Sequence, residues 1–317
     1  MEKETKSQQL NTPLVENPQN DGGRYATNGK KPLDKKWLGI VYIVLSAFFF
    51  SLMSLFVRFA GDLPTFQKAF FRNLIAALVA FLALLKSGSL KIKKGSLPAL
   101  LARAIAGTLG IVCNFYAIDH MNISDASILN KLAPFFSIIF SAILLKEKAS
   151  AKDWILVAVA FVGALFVVKP SFELSQSLPA LLGVLGGLGA GIAYTFVHYL
   201  GGKGERTAVI VFFFSTFSCL AVLPMMLLDF QPMSSMQVLF LLLAGCAASG
   251  AQFSVTAAYS CAPAKEISVY DYSQVLFTAL WGALFLSEFP DYLSMIGYAV
   301  IIGAAVAKYL FTVRKKK

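Results

Sequence analysis

The chain has 317 residues, of which 57% are hydrophobic and 14% are charged, and its formal net charge is +11. Soluble domains carry about 25% charged residues, so this composition argues against a soluble protein and indicates a membrane protein. The Lys and Arg residues lie mainly at the ends of apolar segments. This placement favours a role in membrane topology over nucleic-acid binding.

Cysteine and histidine content argues against a metal centre. The four cysteines are scattered through apolar segments, and the two histidines, His120 and His198, lie far apart in the chain. We therefore expect the cysteines to pack as small apolar side chains, with no disulfide framework, no bound metal and no other cofactor.

The N-terminal 36 residues differ from the rest of the chain. They are polar, contain Pro13, Pro18 and Pro32, and lack an apolar stretch. Such a segment cannot bury enough apolar surface to fold, so residues 1–36 are predicted to be a disordered cytoplasmic tail rather than a signal peptide.

Apolar segments of bilayer-spanning length, about 20 residues each, follow this tail. They predict an all-α membrane protein with ten transmembrane helices, which we number as spans 1 to 10. The linkers are short, so consecutive spans must be antiparallel neighbours. The predicted spans are residues 37–60, 64–86, 97–118, 124–145, 151–169, 178–201, 207–229, 234–261, 266–288 and 291–313.

Basic residues are concentrated on one side of the predicted membrane. The loops on the opposite side hold no Lys or Arg beyond Lys169, which ends a span. The positive-inside rule therefore places the N- and C-termini in the cytoplasm, and the short loops favour a bacterial cell membrane. The inner side receives the basic residues of the tail, Lys91–Lys94, Lys146–Lys152, Lys203–Arg206, Lys265 and Arg314–Lys317.

Two parts of the chain repeat each other at a separation of about 140 residues. Leu144–Glu147 precedes a helix with Gly163-Ala164, and Phe285–Glu288 precedes a helix with Gly303-Ala304. A repeat of five spans is odd-numbered, so the second copy must be inserted upside down. The sequence therefore predicts two inverted five-helix repeats, as in many secondary transporters.

These motifs resemble the EamA-type transporters of the drug/metabolite transporter superfamily. The resemblance covers repeats at 37–169 and 178–313, although the second copy has Val275 where a proline is often found and no arginine matching Arg72. It implies a transporter in which spans 3, 4, 8 and 9 surround a central cavity. It implies no particular solute, because the family handles many unrelated ones. The first copy carries the family motifs Phe71-Arg72-Asn73, Ala133-Pro134-Phe135 and Leu145-Lys146-Glu147.

Polar side chains follow helical spacing on those four spans. Intervals of three and four residues place Ser127, Asn130 and Pro134 on one face of span 4, and Asp271 and Gln274 on one face of span 9. The alternative for the small and weakly polar residues is helix packing in lipid. The predicted solute-binding residues are Lys131, Arg72, Asn130, Asn114, Gln252, Tyr259, Asp271, Gln274 and Trp281.

Charged residues inside the spans are the strongest candidates for the solute-binding site. A charge near the bilayer centre costs at least about 2.5–3.5 kcal/mol, so such residues are normally paired or functional. Lys131 and Arg72 are predicted at similar depth in the outer half, where together they would attract a carboxylate or a phosphate. The alternative for each is a structural pair with Asp119 or Asp125, or snorkelling to the surface. Asp271 is either a proton-coupling carboxylate or the partner of an inner-side cation.

Five other ionisable residues, Arg58, Lys68, Arg103, Glu266 and His198, lie nearer span ends. For these we expect snorkelling or gating pairs rather than contact with a solute. The stripe Gly183, Gly187 and Gly191 in span 6 is expected to allow close packing within one bundle, with helix dimerisation as the alternative.

The combined pattern predicts a secondary transporter that moves a small anionic or zwitterionic metabolite by alternating access. It would act as a monomer or homodimer, with a proton as the candidate coupling ion. Export of lipophilic or cationic compounds is the alternative within transport, because 28 phenylalanines supply aromatic contacts. A receptor or scaffold would leave the polar stripes unexplained, and no cluster of catalytic groups indicates an enzyme.

The topology is testable with two tags. A reporter fused after Lys317 is expected in the cytoplasm and a tag between Ser171 and Ser177 outside, because the basic loops stay on the cytoplasmic side. Access of an impermeant label to each tag in intact cells measures this. Finding both tags on the same side would end the ten-span model.

Overall fold

A computed structural model describes residues 35–87, 91–120, 129–168, 177–287 and 290–314, and every regular element within these ranges is a helix. Residues 1–34 of the predicted tail lie outside the described residues. In chain order the helices are α1 Lys35–Phe59, α2 Thr65–Lys86, α3 Leu97–His120, α4 Ala133–Leu144, α5 Ala151–Val168, α6 Ser177–Gly202, α7 Thr207–Leu228, α8 Ser235–Cys261, α9 Ala264–Ile267, a 3₁₀ turn Ser268–Tyr272, α10 Ser273–Phe285 and α11 Tyr292–Arg314.

Seven of the described helices, α1, α2, α3, α6, α7, α8 and α11, are long and apolar enough to cross a membrane. Their outward faces carry large apolar side chains such as Leu82, Leu109 and Leu220, which are 63%, 59% and 65% exposed. Contiguous apolar surface of this kind is stable in lipid but not in water. The protein is therefore a multi-pass membrane protein, while the count of ten spans stays a prediction.

Predicted spans 4 and 9 are interrupted rather than continuous. Leu129 and Asn130 are helical, Lys131 and Leu132 form a turn, and α4 begins only at Ala133. Pro134 lacks the N–H that would bond the carbonyl of residue 130, so the helix cannot run smoothly through this point. Our prediction of one helix over 124–145 was wrong in this respect, because hydropathy alone does not register a break. Ser127 lies outside the described residues.

The second interruption lies in predicted span 9. Here the 3₁₀ turn Ser268–Tyr272 separates α9 from α10. The Ser268 hydroxyl donates to the Ala264 carbonyl at 2.6 Å, and the Ser273 hydroxyl donates to the Tyr270 carbonyl at 2.7 Å. These hydroxyls donate to backbone carbonyls at the point where the helical hydrogen-bond pattern changes. The helix can therefore be interrupted here without a proline. Val275, at the expected proline position, lies inside α10.

The helix packing can be compared with the predicted repeat of five spans. α1 packs along α8 and α3 along α6, while α2 packs on α7 and α5 on α11. Helices α1 to α8 correspond to predicted spans 1 to 8, α10 to span 9 and α11 to span 10. If each span is replaced by the one five places further on, counting from 10 back to 1, the pair α1–α8 becomes α6–α3. The pairs α2–α7 and α5–α11 become themselves. The contact of α4 with α6 is likewise matched by that of α10 with α1.

The ends of α4 and α10 share an uncommon backbone conformation. Lys146 (φ 57°) and Ser287 (φ 55°) are the two non-glycine residues with positive φ in the described chain. Their positions differ by 141, the same interval that separates the two sequence motifs. Each residue follows directly after the C-cap of its helix, where a left-handed residue lets the chain turn back.

The glycines of α6 allow backbone contact within the bundle. A Cβ on Gly187 would lie 2.8 Å from the carbonyl oxygen of Leu129, and one on Gly191 would lie 2.8 Å from the backbone nitrogen of Ser137. A Cβ on Gly189 would lie 2.7 Å from the carbonyl oxygen of Ala106 in α3. The interpretation of this stripe as packing inside one bundle is therefore confirmed.

Replacing either left-handed residue by glycine should stabilise the protein. Lys146→Gly and Ser287→Gly relieve the steric cost of a Cβ at positive φ and should each stabilise by about 1 kcal/mol. Lys146→Ala is the matched control, because it removes the same exposed side chain but keeps the Cβ. Thermal unfolding of the purified protein measures this, and equal Tm values for the Gly and Ala variants would contradict it.

Candidate functional site

The two interrupted helices bring opposite charges together. Lys131 Nζ lies 3.2 Å from Asp271 Oδ2 and donates to Gln274 Oε1 at 2.7 Å. The Lys131 and Asp271 side chains are only 16% and 17% exposed. The Tyr272 hydroxyl also donates to the Lys131 carbonyl at 2.9 Å. Three predicted site residues from distant parts of the chain thus form one polar centre.

This centre lies where two helices begin. α4 starts at Ala133, two residues after Lys131, and α10 starts at Ser273, two residues after Asp271. The first N–H groups of a helix have no partner within it, and the helix dipole adds a partial positive charge there. The start of α4 therefore adds positive potential close to the ion pair, which favours anionic groups. At the start of α10 the Ser273 N–H is bonded to the Tyr270 carbonyl of the preceding turn.

Arg103 of α3 is buried rather than snorkelling. It is 3% exposed, its Nη2 donates to Gln252 Oε1 at 3.4 Å, and its Cζ lies 3.8 Å from the ring centroid of Phe214. A Cβ on Gly107, one turn along α3, would clash with Arg103 Nη1. Of the two expectations for Arg103, snorkelling was wrong, because the guanidinium lies over the bare backbone of Gly107 and under Phe214, and a gating pair stays a prediction.

Tyr194 of α6 packs against a second aromatic residue of the bundle. Its ring stacks on that of Tyr259, with centroids 4.7 Å apart and planes at 13°. Arg72 Nε is buried and has no hydrogen-bond partner among the described residues. Gln252 thus contacts Arg103 and Tyr259 contacts Tyr194, while the roles of Arg72, Gln252 and Tyr259 in solute binding stay predictions.

Three predicted site residues make different contacts. The Trp281 indole N–H donates to the Ser51 hydroxyl at 2.9 Å, which ties α10 to α1. Asn114 Oδ1 is buried without a hydrogen-bond partner among the described residues. Asn130 precedes the turn at Lys131 and packs by its carbonyl against Gly187 of α6. Their predicted role in solute binding stays a prediction.

Charged residues at the bundle's edge form separate pairs. Lys308 Nζ lies 2.6 Å from Asp153 Oδ1 and 3.6 Å from Glu266 Oε2, which joins α11, α5 and α9. His198 Nε2 lies 2.9 Å from Glu147 Oε1. Glu266 and His198 are therefore in pairs, as expected for residues near helix ends. Within the described ranges, no three His, Cys, Asp or Glu side chains are grouped as for a metal ion.

Sequence reasoning missed Arg103, Tyr194 and Tyr272 as members of this region. For Arg103 a signal existed, since it shares a helical face with Gly107 at a spacing of four. For Tyr194 the signal was weak, because the helix around it is rich in glycine and apolar residues apart from Thr195 and His198. Tyr272 directly follows Asp271 and reaches the site only because the 3₁₀ turn changes the direction of its side chain.

This chain belongs to the EamA-like transporter family, whose model matches residues 37–169 and again residues 177–309. It is 36% identical over 277 residues to the pseudopaline exporter CntI of Pseudomonas aeruginosa, covering 87% of this chain and 97% of that protein. It is 25% identical over 306 residues to human solute carrier family 35 member G1, with 90% and 84% coverage.

One further protein and one solved structure are also similar to this chain. The chain is 22% identical over 272 residues to the S-adenosylmethionine uptake transporter of Rickettsia prowazekii, covering 84% of this chain and 91% of that protein. A crystal structure with 16% sequence identity aligns with a TM-score of 0.78 over 88% of this chain and 99% of that one. At this identity the structural match establishes a shared fold.

The Lys131–Asp271 pair should give an energetic coupling. Lys131→Ala and Asp271→Asn should each destabilise the protein by about 2 kcal/mol, somewhat less than the 3–5 kcal/mol typical of fully buried pairs, because one charge loses its partner. The double variant should recover part of this loss.

Thermal unfolding of the four proteins measures this coupling. Lys131→Arg is the control that keeps the charge with altered geometry. Strictly additive effects of the two single changes would refute a coupled pair.

Proposed function

We propose that this protein is a secondary transporter that moves a small anionic or zwitterionic metabolite by alternating access. The observation that carries this proposal is the meeting of Lys131 with Asp271 and Gln274 where two helices are interrupted. Charges within a membrane bundle are costly, so a purely structural bundle gains little from them. Interrupted helices around such charges are the usual construction of solute sites in secondary transporters.

The proposed movement is a rocking of two inverted halves, residues 37–169 and 178–313, within a ten-span bundle. Three observations support two halves. The family model matches twice, the left-handed residues Lys146 and Ser287 differ by 141 positions, and the helix pairs exchange when every span advances by five. Because Lys131 and Asp271 belong to different halves, rocking would open and close the contact between them.

The charges favour a solute with a carboxylate. Lys131, Arg72 and Arg103 supply positive charge, and the start of α4 adds to it. Asp271 would receive an ammonium group of a zwitterion, or a proton, when Lys131 moves away from it. This makes a proton our proposed coupling ion, in a cell membrane with both termini cytoplasmic. The relatives are named for export of pseudopaline and for uptake of S-adenosylmethionine, so direction needs measurement.

One observation favours a second candidate, the export of lipophilic cations. Phe48 of α1 meets Phe277 and Trp281 of α10 edge-on, with ring centroids 5.5 and 5.7 Å apart. Such aromatic surfaces attract cations as well as apolar groups. The Trp281 N–H is already bonded to Ser51, however, so this cluster also has a structural role between α1 and α10.

Flux into proteoliposomes separates these candidates. We expect saturable flux of labelled S-adenosylmethionine or of a labelled dicarboxylate, stimulated by a pH gradient, and no flux of the lipophilic cation ethidium. Lys131→Ala should abolish the flux and Lys131→Arg should retain part of it, because the charge remains in altered geometry.

Lys146→Ala changes an exposed residue, so it is the control for losses of activity during purification and reconstitution. Ethidium flux alone, unchanged in Lys131→Ala, would establish the second candidate. Absence of flux for every compound in either direction would remove transport and leave a receptor or scaffold.

A further inference from the structure

His198 of α6 contacts a hydrogen-bond acceptor with each of its two ring nitrogens. Nδ1 lies 2.6 Å from the carbonyl oxygen of Tyr259 in α8, and Nε2 lies 2.9 Å from Oε1 of Glu147, in the loop after α4. A backbone carbonyl can only accept a hydrogen bond, and so can an ionised carboxylate. A neutral imidazole has a single N–H, so it can satisfy one of these two contacts. Both contacts together require one further proton.

The surroundings of the pair favour that proton on the imidazole ring. The His198 and Glu147 side chains are 18% and 26% exposed. Glu147 Oε2 is buried without a hydrogen-bond partner in the described chain, and no lysine of the described ranges pairs with this carboxylate. A carboxylate that is so poorly solvated needs an opposite charge beside it, which an imidazolium supplies.

The contact also joins the two proposed halves of the protein. Glu147 directly follows the left-handed Lys146 at the end of α4, in the first half, whereas His198 and Tyr259 belong to α6 and α8 of the second. Without the second proton, the Nε2 lone pair would face a carboxylate oxygen, and the two would repel each other. Loss of the proton would therefore loosen the end of α4 from α6 and α8.

We propose that His198 and Glu147 form a proton-binding site, and that its proton holds the end of α4 against α6 and α8. The site is separate from Asp271, which is paired with Lys131. It requires no solute, whereas its effect on flux rests on the proposed function. Between about pH 6 and 8, acid favours the conformation in which the pair is formed, because that conformation binds one proton more than the separated one.

Other ionisable groups lie close to the pair in the fold. Lys146 and Lys148 are exposed on either side of Glu147, and Lys265 of α9 donates to the Lys148 carbonyl at 2.8 Å. The remaining ionisable side chains along the adjoining parts of α3, α6 and α8 are Arg103, Tyr194, Tyr199, Tyr259 and Cys261. Histidine is the side chain that ordinarily changes its charge between pH 5 and 8, so a change in this range points to His198.

Histidine NMR on the purified full-length protein tests the proton directly, because the chain has two histidines. Isotope-labelled histidine gives one set of ring signals for each, and His120→Gln identifies those of His198. At about pH 7 we expect protons on both ring nitrogens of His198 in the wild type. In Glu147→Gln we expect a proton on Nδ1 alone, because the glutamine amide can donate to Nε2. His120 is the internal reference, since the contact of its exposed ring with the Tyr116 carbonyl at 2.9 Å needs a single proton.

Distances between spin labels test whether the proton holds α4 in place. Lys148→Cys and Gly202→Cys put labels on the loop after α4 and at the end of α6, in a protein whose four native cysteines are replaced by serine. Both positions are exposed, and a Cβ at Gly202 meets nothing within 4 Å. From about pH 6 to pH 8 the share of long distances should rise several-fold. His198→Arg should remove this dependence, because arginine stays charged over the range, whereas His120→Gln should retain it.

The outcomes separate the proton site from the transport function. A wild-type His198 with an unprotonated Nε2 at about pH 7, or with the same protonation in Glu147→Gln, would overturn the proton site even where flux is observed. Label distances that do not change with pH in the otherwise wild-type protein would overturn its role in holding α4. The expected results in both measurements, together with no flux by the wild type, would support the proton site and remove transport.

Discussion

A charged side chain inside a bilayer cannot be solvated by bulk water, so the protein itself must compensate it. The Lys131–Asp271 pair meets this requirement across the core, and much of the local architecture serves to bring the two residues together. Each residue lies at a helix interruption, where the backbone turns and a new helix starts. A continuous helix would keep its polar backbone groups bonded internally, so the interruptions are what let helix ends and side chains share one site.

The ion pair also depends on the positions of the two half-helices that follow the interruptions. The short half-helices α4 and α10 end at left-handed residues, Lys146 and Ser287, where the chain turns back. An ion pair with a donor–acceptor distance of 3.2 Å weakens steeply when such helices separate, because a hydrogen bond depends on short range and alignment. Glycine-mediated contact of α6 with α3 and α4 provides the opposite property, a stiff backbone-to-backbone interface. The bundle therefore combines close backbone packing around α6 with an ion pair that would be lost if the two half-helices separated.

Much of this molecule could be predicted from its sequence, for identifiable physical reasons. Apolar length and composition predicted its membrane helices, and the motifs at Glu147 and Glu288 predicted its family. Lys131, Asp271 and Gln274 could each be selected because intramembrane polar groups are costly. Their mutual contact could not be predicted, since about 140 residues separate them and helical periodicity describes one helix at a time. The helix interruptions were missed because hydropathy averages over a window, although Pro134 was a local signal.

The position of Arg103 illustrates why counting residues from a helix end is an unreliable measure of exposure. Seven residues into α3, a flexible arginine would reach the surface if its neighbours were large. Gly107 instead leaves an opening beside it, and Phe214 and Gln252 hold the guanidinium there. A buried guanidinium without a carboxylate partner among the described residues costs free energy, and this cost is not visible when residues are counted along one helix.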